Sequence, residues 1–118
     1  MEILIVRQPV NEATLRALAR AWHGDVIKGV ADIRQETLAL GGAWHKEAKA
    51  RLIEDGSNEK DIWGFLLYPR ETGLKAIEYS AHINIRPLQG NFTREITKED
   101  IQIAIRKIVA LSIPSLGL

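Results

Sequence analysis

The stretch DVIKGVADIRQETLALGG, residues 25–42, decides the fold because its apolar residues fit two different structures. In the first, they lie loosely along one face of a helix, at Ile27, Val30, Ile33, Thr37 and Leu40. In the second, two short strands flank the polar turn Arg34-Gln35-Glu36. The β-branched residues and the Gly41-Gly42 stop favour the second structure, so we predict a β-hairpin here.

The chain before this hairpin predicts one strand and one helix. Residues 3–6 form a short apolar run that is typical of a buried strand. Asn11 is a good N-cap for a helix that Gly24 ends. That helix carries its apolar residues on one face, at Leu15, Leu18, Ala19 and Trp22.

The chain directly after the hairpin predicts a second helix and another strand. Trp44, Ala48 and Leu52 lie one turn apart, which is typical of a helix over residues 44–54. Residues 62–68 are nearly all apolar, as expected for a strand that is covered on both faces.

Residues 77–86 show the clearest alternation in the chain. Every second residue is apolar and would form one face, namely Ile77, Tyr79, Ala81, Ile83 and Ile85. The residues between them are polar and would form the other face, namely Glu78, Ser80, His82, Asn84 and Arg86. This alternation predicts a strand with one buried and one polar face, which Pro87 ends. Thr97 and Asp100 then resemble a capping box, and they precede a predicted helix with an apolar face over residues 101–109.

The predicted elements follow one another in the order β-α-β-β-α-β-β-α. This order predicts an α+β fold, with three helices and a largely antiparallel sheet of about five strands. A chain of 118 residues has the length of one ordinary domain, so we expect a single domain over residues 1–118. The C-terminal tail, residues 110–118, is uncharged and apolar, and it either packs on its own domain or docks on a partner subunit.

The composition argues against several functional classes. The chain has 16 basic and 15 acidic residues, a formal net charge of +1 and no cysteine. The lack of cysteine excludes disulfides, thiol catalysis and cysteine-bound metals. No signal-peptide core and no run of about 20 apolar residues is present, so we expect a cytoplasmic protein without a membrane partner. Basic and acidic residues interleave over residues 94–107, so a nucleic acid is not an expected partner.

Four groups of motifs occur together along the chain. They are Gly41-Gly42-Ala43-Trp44-His45, Glu54-Asp55-Gly56-Ser57, Asp61-Ile62-Trp63-Gly64 with Tyr68-Pro69, and Ile83-Asn84-Ile85-Arg86-Pro87 with Gln89-Gly90-Asn91. In order and spacing they resemble a small prokaryotic family that is classed only as a domain of unknown function. The resemblance runs from Ile3 to about Val109. It implies a small bacterial or archaeal cytoplasmic protein, and it brings no reaction, cofactor or partner.

The polar residues at the end of the 77–86 strand and in the following loop are the candidate ligand site. These residues are Asn84, Arg86, Gln89 and Asn91. Arginine presents a planar fork of donors that suits a carboxylate or phosphate, and Asn and Gln orient ligands through paired donors and acceptors. We therefore predict that they bind a polar anionic small molecule. The alternative is a solvated strand face, or an Arg86 that pairs with a carboxylate such as Glu78.

His45 is the candidate catalytic residue. It lies at the start of a predicted helix, where the helix dipole lowers the pKa of histidine and favours the neutral imidazole of a general base. Glu47 or Asp32 is a candidate to orient the ring. The alternative is a ring that packs beside Trp44 and is hydrogen-bonded to a loop.

Metals and other cofactors are not expected. His45, His82, Glu47 and Asp32 are suitable ligand types, but they form no short-range ligand pair such as H-E-x-x-H. The chain also lacks the G-x-S-x-G, Walker and G-x-G-x-x-G motifs. The acidic residues within 54–61 are typical of a solvated turn.

Three functions remain open from the sequence. The first is a binding or accessory module for an anionic small molecule. The second is a small enzyme with His45 as general base and Arg86 as electrostatic stabiliser, which requires both residues to face one concavity. The third is a structural homodimer without a ligand site, favoured by the apolar tail and by three tryptophans, Trp22, Trp44 and Trp63.

Overall fold

The hairpin predicted over residues 25–42 is present at the centre of the sheet. In the computed structural model, which describes residues 2–21 and 24–118, strand β2 (Ile27–Asp32) pairs antiparallel with β3 (Thr37–Gly41). The buried Asp32 carboxylate orders the turn, since its Oδ1 accepts the backbone N–H groups of Arg34 and Gln35 at 2.9 and 3.0 Å. The β-branched pattern therefore predicted the correct structure, and the helical alternative is wrong.

The hairpin is extended on both sides into a five-stranded antiparallel sheet of order β1-β3-β2-β4-β5. The remaining strands are β1 (Ile3–Val6), β4 (Ile62–Leu67) and β5 (Ile77–Glu78), of which β1 and β5 form the edges of the sheet. Together with the three α-helices found in residues 2–21 and 24–118, this sheet confirms the predicted α+β class.

The helices begin and end close to the predicted positions. They are α1 (Glu12–Arg20), α2 (His45–Glu54) and α3 (Glu99–Ser112). Asn11 caps α1 as predicted, because its side chain accepts the Thr14 N–H at 2.8 Å. Trp22 and His23, at the predicted end of that helix, lie outside the described residues. The capping box predicted at Thr97 is wrong, since the N–H and hydroxyl of Thr97 both donate to Asn91 Oδ1 and Lys98 precedes the helix.

Apolar side chains cover both faces of the sheet. The larger cluster packs α1 and α3 on one face, and it includes Leu15, Leu18, Ile27, Leu38, Trp63, Phe65, Ile105 and Val109. The smaller cluster packs α2 on the other face, with Val30, Ala39, Ala48, Leu52 and Ile62. Strand β4 supplies residues to both clusters, which confirms the prediction from its continuous apolar run.

The apolar tail packs on its own chain. Ile113 and Leu116 belong to the larger cluster and are almost completely buried. The tail also fixes the start of α1, because the Val10 N–H donates to the Ser112 carbonyl at 2.7 Å. The argument for a partner subunit based on this tail therefore loses its main support.

The strand predicted over residues 77–86 is wrong beyond Glu78. β5 has two residues, and short 3-10 turns follow at His82–Asn84 and Pro87–Gln89. The edge of β4 is instead completed by side chains. Asn84 bonds both the N–H and the C=O of Gly64, at 2.8 and 2.9 Å, and Arg86 Nη2 donates to the Ile62 carbonyl. A buried amide thus takes the place of a strand backbone, which alternation cannot reveal.

No helix in the described parts of the chain is long and apolar enough to cross a membrane.

Candidate functional site

Two of the four predicted ligand residues, Asn84 and Asn91, are completely buried. Asn84 bonds Gly64 and also donates to the Arg94 carbonyl at 3.1 Å. Asn91 Nδ2 donates to the carbonyls of Asn84, Thr93 and Glu95 at 2.8, 2.9 and 3.0 Å. Both amides therefore bind the protein's own backbone: Asn84 fastens the irregular segment 80–97 to the sheet, and Asn91 ties that segment together internally.

The other two residues, Arg86 and Gln89, serve the same segment. Arg86 donates to the carbonyls of Ile83 and Lys60 at 3.1 and 3.3 Å, and its guanidinium lies 4.7 Å from the centre of the Trp63 ring. Its burial lowers the pKa of the guanidinium. Gln89 Nε2 also donates to the Lys60 carbonyl, at 3.0 Å. The structure thus brings the four residues together, but their polar groups are engaged within the chain, and their ligand role stays a prediction.

His45 and Arg86 line different concavities. His45 lines a pocket of about 650 Å³, whereas Arg86 lines a smaller pocket of about 440 Å³ with Pro87, Leu88 and Gln89. An active site needs its groups to converge on one substrate position. An active site with His45 as base and Arg86 as electrostatic stabiliser requires both residues in one cavity, and the structure places them in two.

The larger pocket lies on the α2 face of the sheet, and we call it the α2 pocket. It is bounded by the first residues of α2, by strands β2 and β4, and by the segment 80–83. Its lining residues are Val26, Lys28, Trp44, His45, Lys46, Leu66, Tyr68, Ser80, Ala81, His82, Ile83 and Arg94. Most of the lining surface is apolar, and α2 leaves this part of the sheet uncovered.

The polar groups of the α2 pocket are predominantly basic. Three cationic side chains, Lys28, Lys46 and Arg94, line it with the imidazoles of His45 and His82, and no carboxylate belongs to the lining over residues 2–21 and 24–118. Lys46 and Arg94 are exposed, and neither forms an ion pair within that described part. The pocket therefore combines an apolar floor with a positive electrostatic potential.

His45 is held by the sheet. Its Nε2 lies 2.8 Å from the Phe65 carbonyl oxygen, which only accepts hydrogen bonds, so Nε2 carries a proton and the neutral ring keeps its lone pair on Nδ1. Burial is the main cause that lowers the pKa of His45, and the charge of Lys28 adds to it. Burial therefore favours the neutral form of the ring, and it, not the helix dipole that the sequence suggested, is the main cause of the lowered pKa of His45.

The two predicted orienting carboxylates have other partners. Glu47 Oε1 accepts the N–H groups of Ala43 and Trp44 at 3.2 and 2.9 Å, so it caps the start of α2. Asp32 orders the β2–β3 turn. Neither carboxylate orients His45, because the β4 backbone does so.

Tyr68 contributes a hydroxyl to the α2 pocket. The hydroxyl donates to Glu78 Oε1 at 2.6 Å, and this bond to a carboxylate raises the pKa of Tyr68 to about 12. Glu78 is therefore engaged with Tyr68 and is not the partner of Arg86 that one alternative expected. The Tyr68 oxygen keeps lone pairs that can accept a hydrogen bond from another group.

Replacing His45 with glutamine is expected to flatten the pH dependence of folding. An unfolded histidine protonates near pH 6.5, whereas the lowered pKa of His45 keeps the folded ring neutral to more acidic pH. The unfolded state then binds more protons, so the free energy of unfolding falls as the pH drops through about 6.5 and stops falling below the folded pKa. Urea unfolding of both proteins at pH 8, 7, 6 and 5 measures this difference, and equal slopes in the two proteins would contradict it.

The candidate metal ligands do not come together as a metal site in the described residues. In the described residues there is no group of three or more His, Asp or Glu side chains that could hold a metal ion. His45 and His82 do line the same pocket, but without an acidic neighbour in its lining.

Sequence reasoning missed Lys46 and Arg94 as pocket residues. They lie 48 positions apart in the chain, and each belongs to a segment with mixed charges. Only the packing of segment 80–97 against β4 brings Arg94 to the start of α2. No local motif could have found this pair.

Among the comparisons with known proteins, the one with protein-family models gives a match. A family model described as a protein of unknown function (DUF5674) matches residues 4–111 of the chain. No curated protein and no solved structure matches.

Proposed function

The chain belongs to the DUF5674 family of proteins of unknown function, and from the geometry of its α2 pocket we propose that it is a binding module for an anionic small organic molecule. The prediction that the chain belongs to a family of unknown function is thus confirmed, and this membership brings no reaction with it. The observation that carries the proposal is the basic, carboxylate-free lining of the described part of this pocket. The proposal keeps the predicted class of ligand and moves the site away from Asn84, Arg86, Gln89 and Asn91.

The charges of the pocket favour an anion. Arg94 and Lys46 are exposed at its edge and have no acidic partner in the described residues, so an anionic group would find two unpaired donors there. Charge-assisted hydrogen bonds of this kind are about twice as strong as neutral ones. The first residues of α2 also line the pocket, and the positive end of a helix dipole adds to the attraction.

The volume and the floor of the pocket favour an organic molecule over a simple ion. A volume of about 650 Å³ lies within the range of pockets that hold small-molecule ligands. Its apolar floor, with Val26, Leu66, Ala81 and Ile83, offers an inorganic anion nothing to bind. A carboxylate or phosphate ester with an apolar body would fill it.

The two alternative functions have less support. An enzyme with His45 as its base would need a stabilising cation other than Arg86, because Arg86 lines another concavity. A homodimer stays a prediction, since Ile113 and Leu116 of the tail are buried with Trp63 in the chain's own core, and Trp22 lies outside the described residues.

Isothermal titration with 2-naphthoate, 2-naphthyl phosphate and the neutral 2-naphthamide tests the proposal. We expect at least one anion to bind about tenfold or more tightly than the amide, because a hydrogen bond to a charged group contributes about 1.5–3 kcal/mol. Arg94→Gln should weaken anion binding about tenfold and weaken binding of the neutral amide much less.

Arg34→Gln is the matched control for this experiment. Arg34 is an exposed cation in the β2–β3 turn, outside the lining of the α2 pocket, so this variant should bind like the wild type. Two results would contradict the proposal. One is equal affinity for the amide and the anions, and the other is no binding of any probe at a probe concentration of about 10 mM.

A further inference from the structure

The indole of Trp44 is the feature of the α2 pocket that the fold does not explain. Its side chain is 61% exposed, whereas Trp63 is 2% exposed in the core. Trp44 also occupies the N-cap of α2, where Ser, Thr, Asp and Asn are the stabilising residues, and its side chain makes no capping hydrogen bond. Glu47 performs the capping from the third helical position. Trp44 thus serves neither the core nor the cap.

Three flat groups surround the same space. Trp44, Tyr68 and Arg94, whose side chains carry an indole, a phenol ring and a guanidinium, all line the α2 pocket. Flat groups of this kind stack on planar π-systems, and arginine combines that stacking with a charge. An aliphatic ligand would use only the apolar area of these groups, while an aromatic ligand would also use their faces.

Two residues that line the pocket, His45 and Tyr68, also offer hydrogen-bond acceptors. With Nε2–H bonded to the Phe65 carbonyl, neutral His45 has an acceptor at Nδ1, and Tyr68 donates its own proton to Glu78. A ring that carries N–H or O–H donors could satisfy such acceptors. The combination of cations, flat side chains and acceptors is what a planar aromatic acid requires.

We propose that the α2 pocket selects a planar aromatic anion, an aromatic ring system bearing a carboxylate or phosphate group, by stacking it against Trp44. This inference rests on the proposed function, since it specifies the class of anion that the pocket binds. Trp44 acts as a specificity-determining residue, and Arg94 and Lys46 bind the acidic group.

The test compares two acids of equal charge and similar size, 2-naphthoate and its saturated counterpart decahydro-2-naphthoate. Titration calorimetry should show that the wild type binds the aromatic acid about 3- to 10-fold more tightly, which corresponds to the known contribution of aromatic pairs beyond area burial. Trp44→Leu keeps an apolar side chain and removes the π face. It should abolish this preference, because it removes the stacking that only the aromatic acid gains and so weakens 2-naphthoate binding more than binding of the saturated acid.

A spectroscopic readout separates stacking from a structural effect of the substitution. In ¹H–¹⁵N spectra, 2-naphthoate should shift the Trp44 indole N–H resonance upfield through its ring current, and the saturated acid should not. Equal binding of the two acids by the wild type would overturn the aromatic inference and leave the proposed function intact. Equal binding of 2-naphthoate and 2-naphthamide would instead overturn the proposed function.

Discussion

Asn84→Ala is expected to destabilise the protein by about 4 kcal/mol, a large part of the 5–15 kcal/mol that typically stabilises a domain. The substitution leaves the buried N–H and C=O of Gly64 without partners, and each orphaned group costs about 1–3 kcal/mol. It also opens a cavity beneath segment 80–97 and frees the Arg94 carbonyl. Urea unfolding followed by far-UV circular dichroism measures the loss.

Two further asparagine variants sharpen this result. Asn84→Asp keeps the size of the side chain but replaces the donor to Gly64 O with an oxygen, so it should also destabilise strongly. Asn58→Ala is the matched control, because Asn58 is exposed and its side chain makes no cap hydrogen bond. It should change the free energy of unfolding by less than about 0.5 kcal/mol. A loss below about 1 kcal/mol for Asn84→Ala would refute the structural role of this amide.

Gly64→Ala is expected to cost about 3 kcal/mol for a steric reason. A Cβ at this position would lie 2.5 Å from the Ala81 Cβ and 3.2 Å from the His45 Cδ2. The Ala81 Cβ is attached directly to the backbone, so segment 81–83 must move, and overpacking of this kind typically costs about 1–3 kcal/mol or more. The same movement would widen the floor of the α2 pocket next to His45.

A double-mutant cycle with Ala81→Gly tests this explanation. Removing the Ala81 methyl group makes room for the new one at position 64. The double variant should therefore lose about 1–2 kcal/mol less free energy of unfolding than the two single variants lose in sum. Chemical denaturation of the four proteins gives the coupling energy. Strict additivity would show that the clash with Ala81 is not the cause.

Much of the fold could be predicted because its signals are local. The hairpin follows from β-branched residues around a polar turn, and the start of α1 follows from Asn11. The apolar run of β4 correctly indicated a strand covered on both faces. In each case, neighbouring residues determine the structure through their periodicity or their capping chemistry.

The error over residues 77–86 has a different origin. Alternation assumes that a strand backbone pairs with its neighbour, whereas here Asn84 and Arg86 pair with β4 through their side chains. The predicted polar face consequently turns inward at Asn84, which is fully buried, and the predicted apolar face turns outward at Ile85, which is 39% exposed. The residue type alone does not show whether a polar side chain binds backbone groups inside the protein or faces water.

The site was less predictable than the fold. His45 was found because a histidine at a helix start is conspicuous, and it does line the α2 pocket. Arg86 attracted attention for its donors, but those donors serve carbonyl groups of the chain. Arg94 carries the exposed charge instead, and only long-range packing brings it to Lys46.

The fastening of segment 80–97 also limits how the chain can vary in length. Irregular connections usually tolerate inserted or deleted residues, because surface loops carry few obligatory contacts. Here the spacing from Asn84 to Asn91 and on to Thr97 is set by buried hydrogen bonds, so one added residue would break several of them at once. The exposed turn at residues 70–75 has no such constraint from buried amides. Descendants of this chain can therefore gain or lose residues at that turn, while the stretch without regular secondary structure must keep its length.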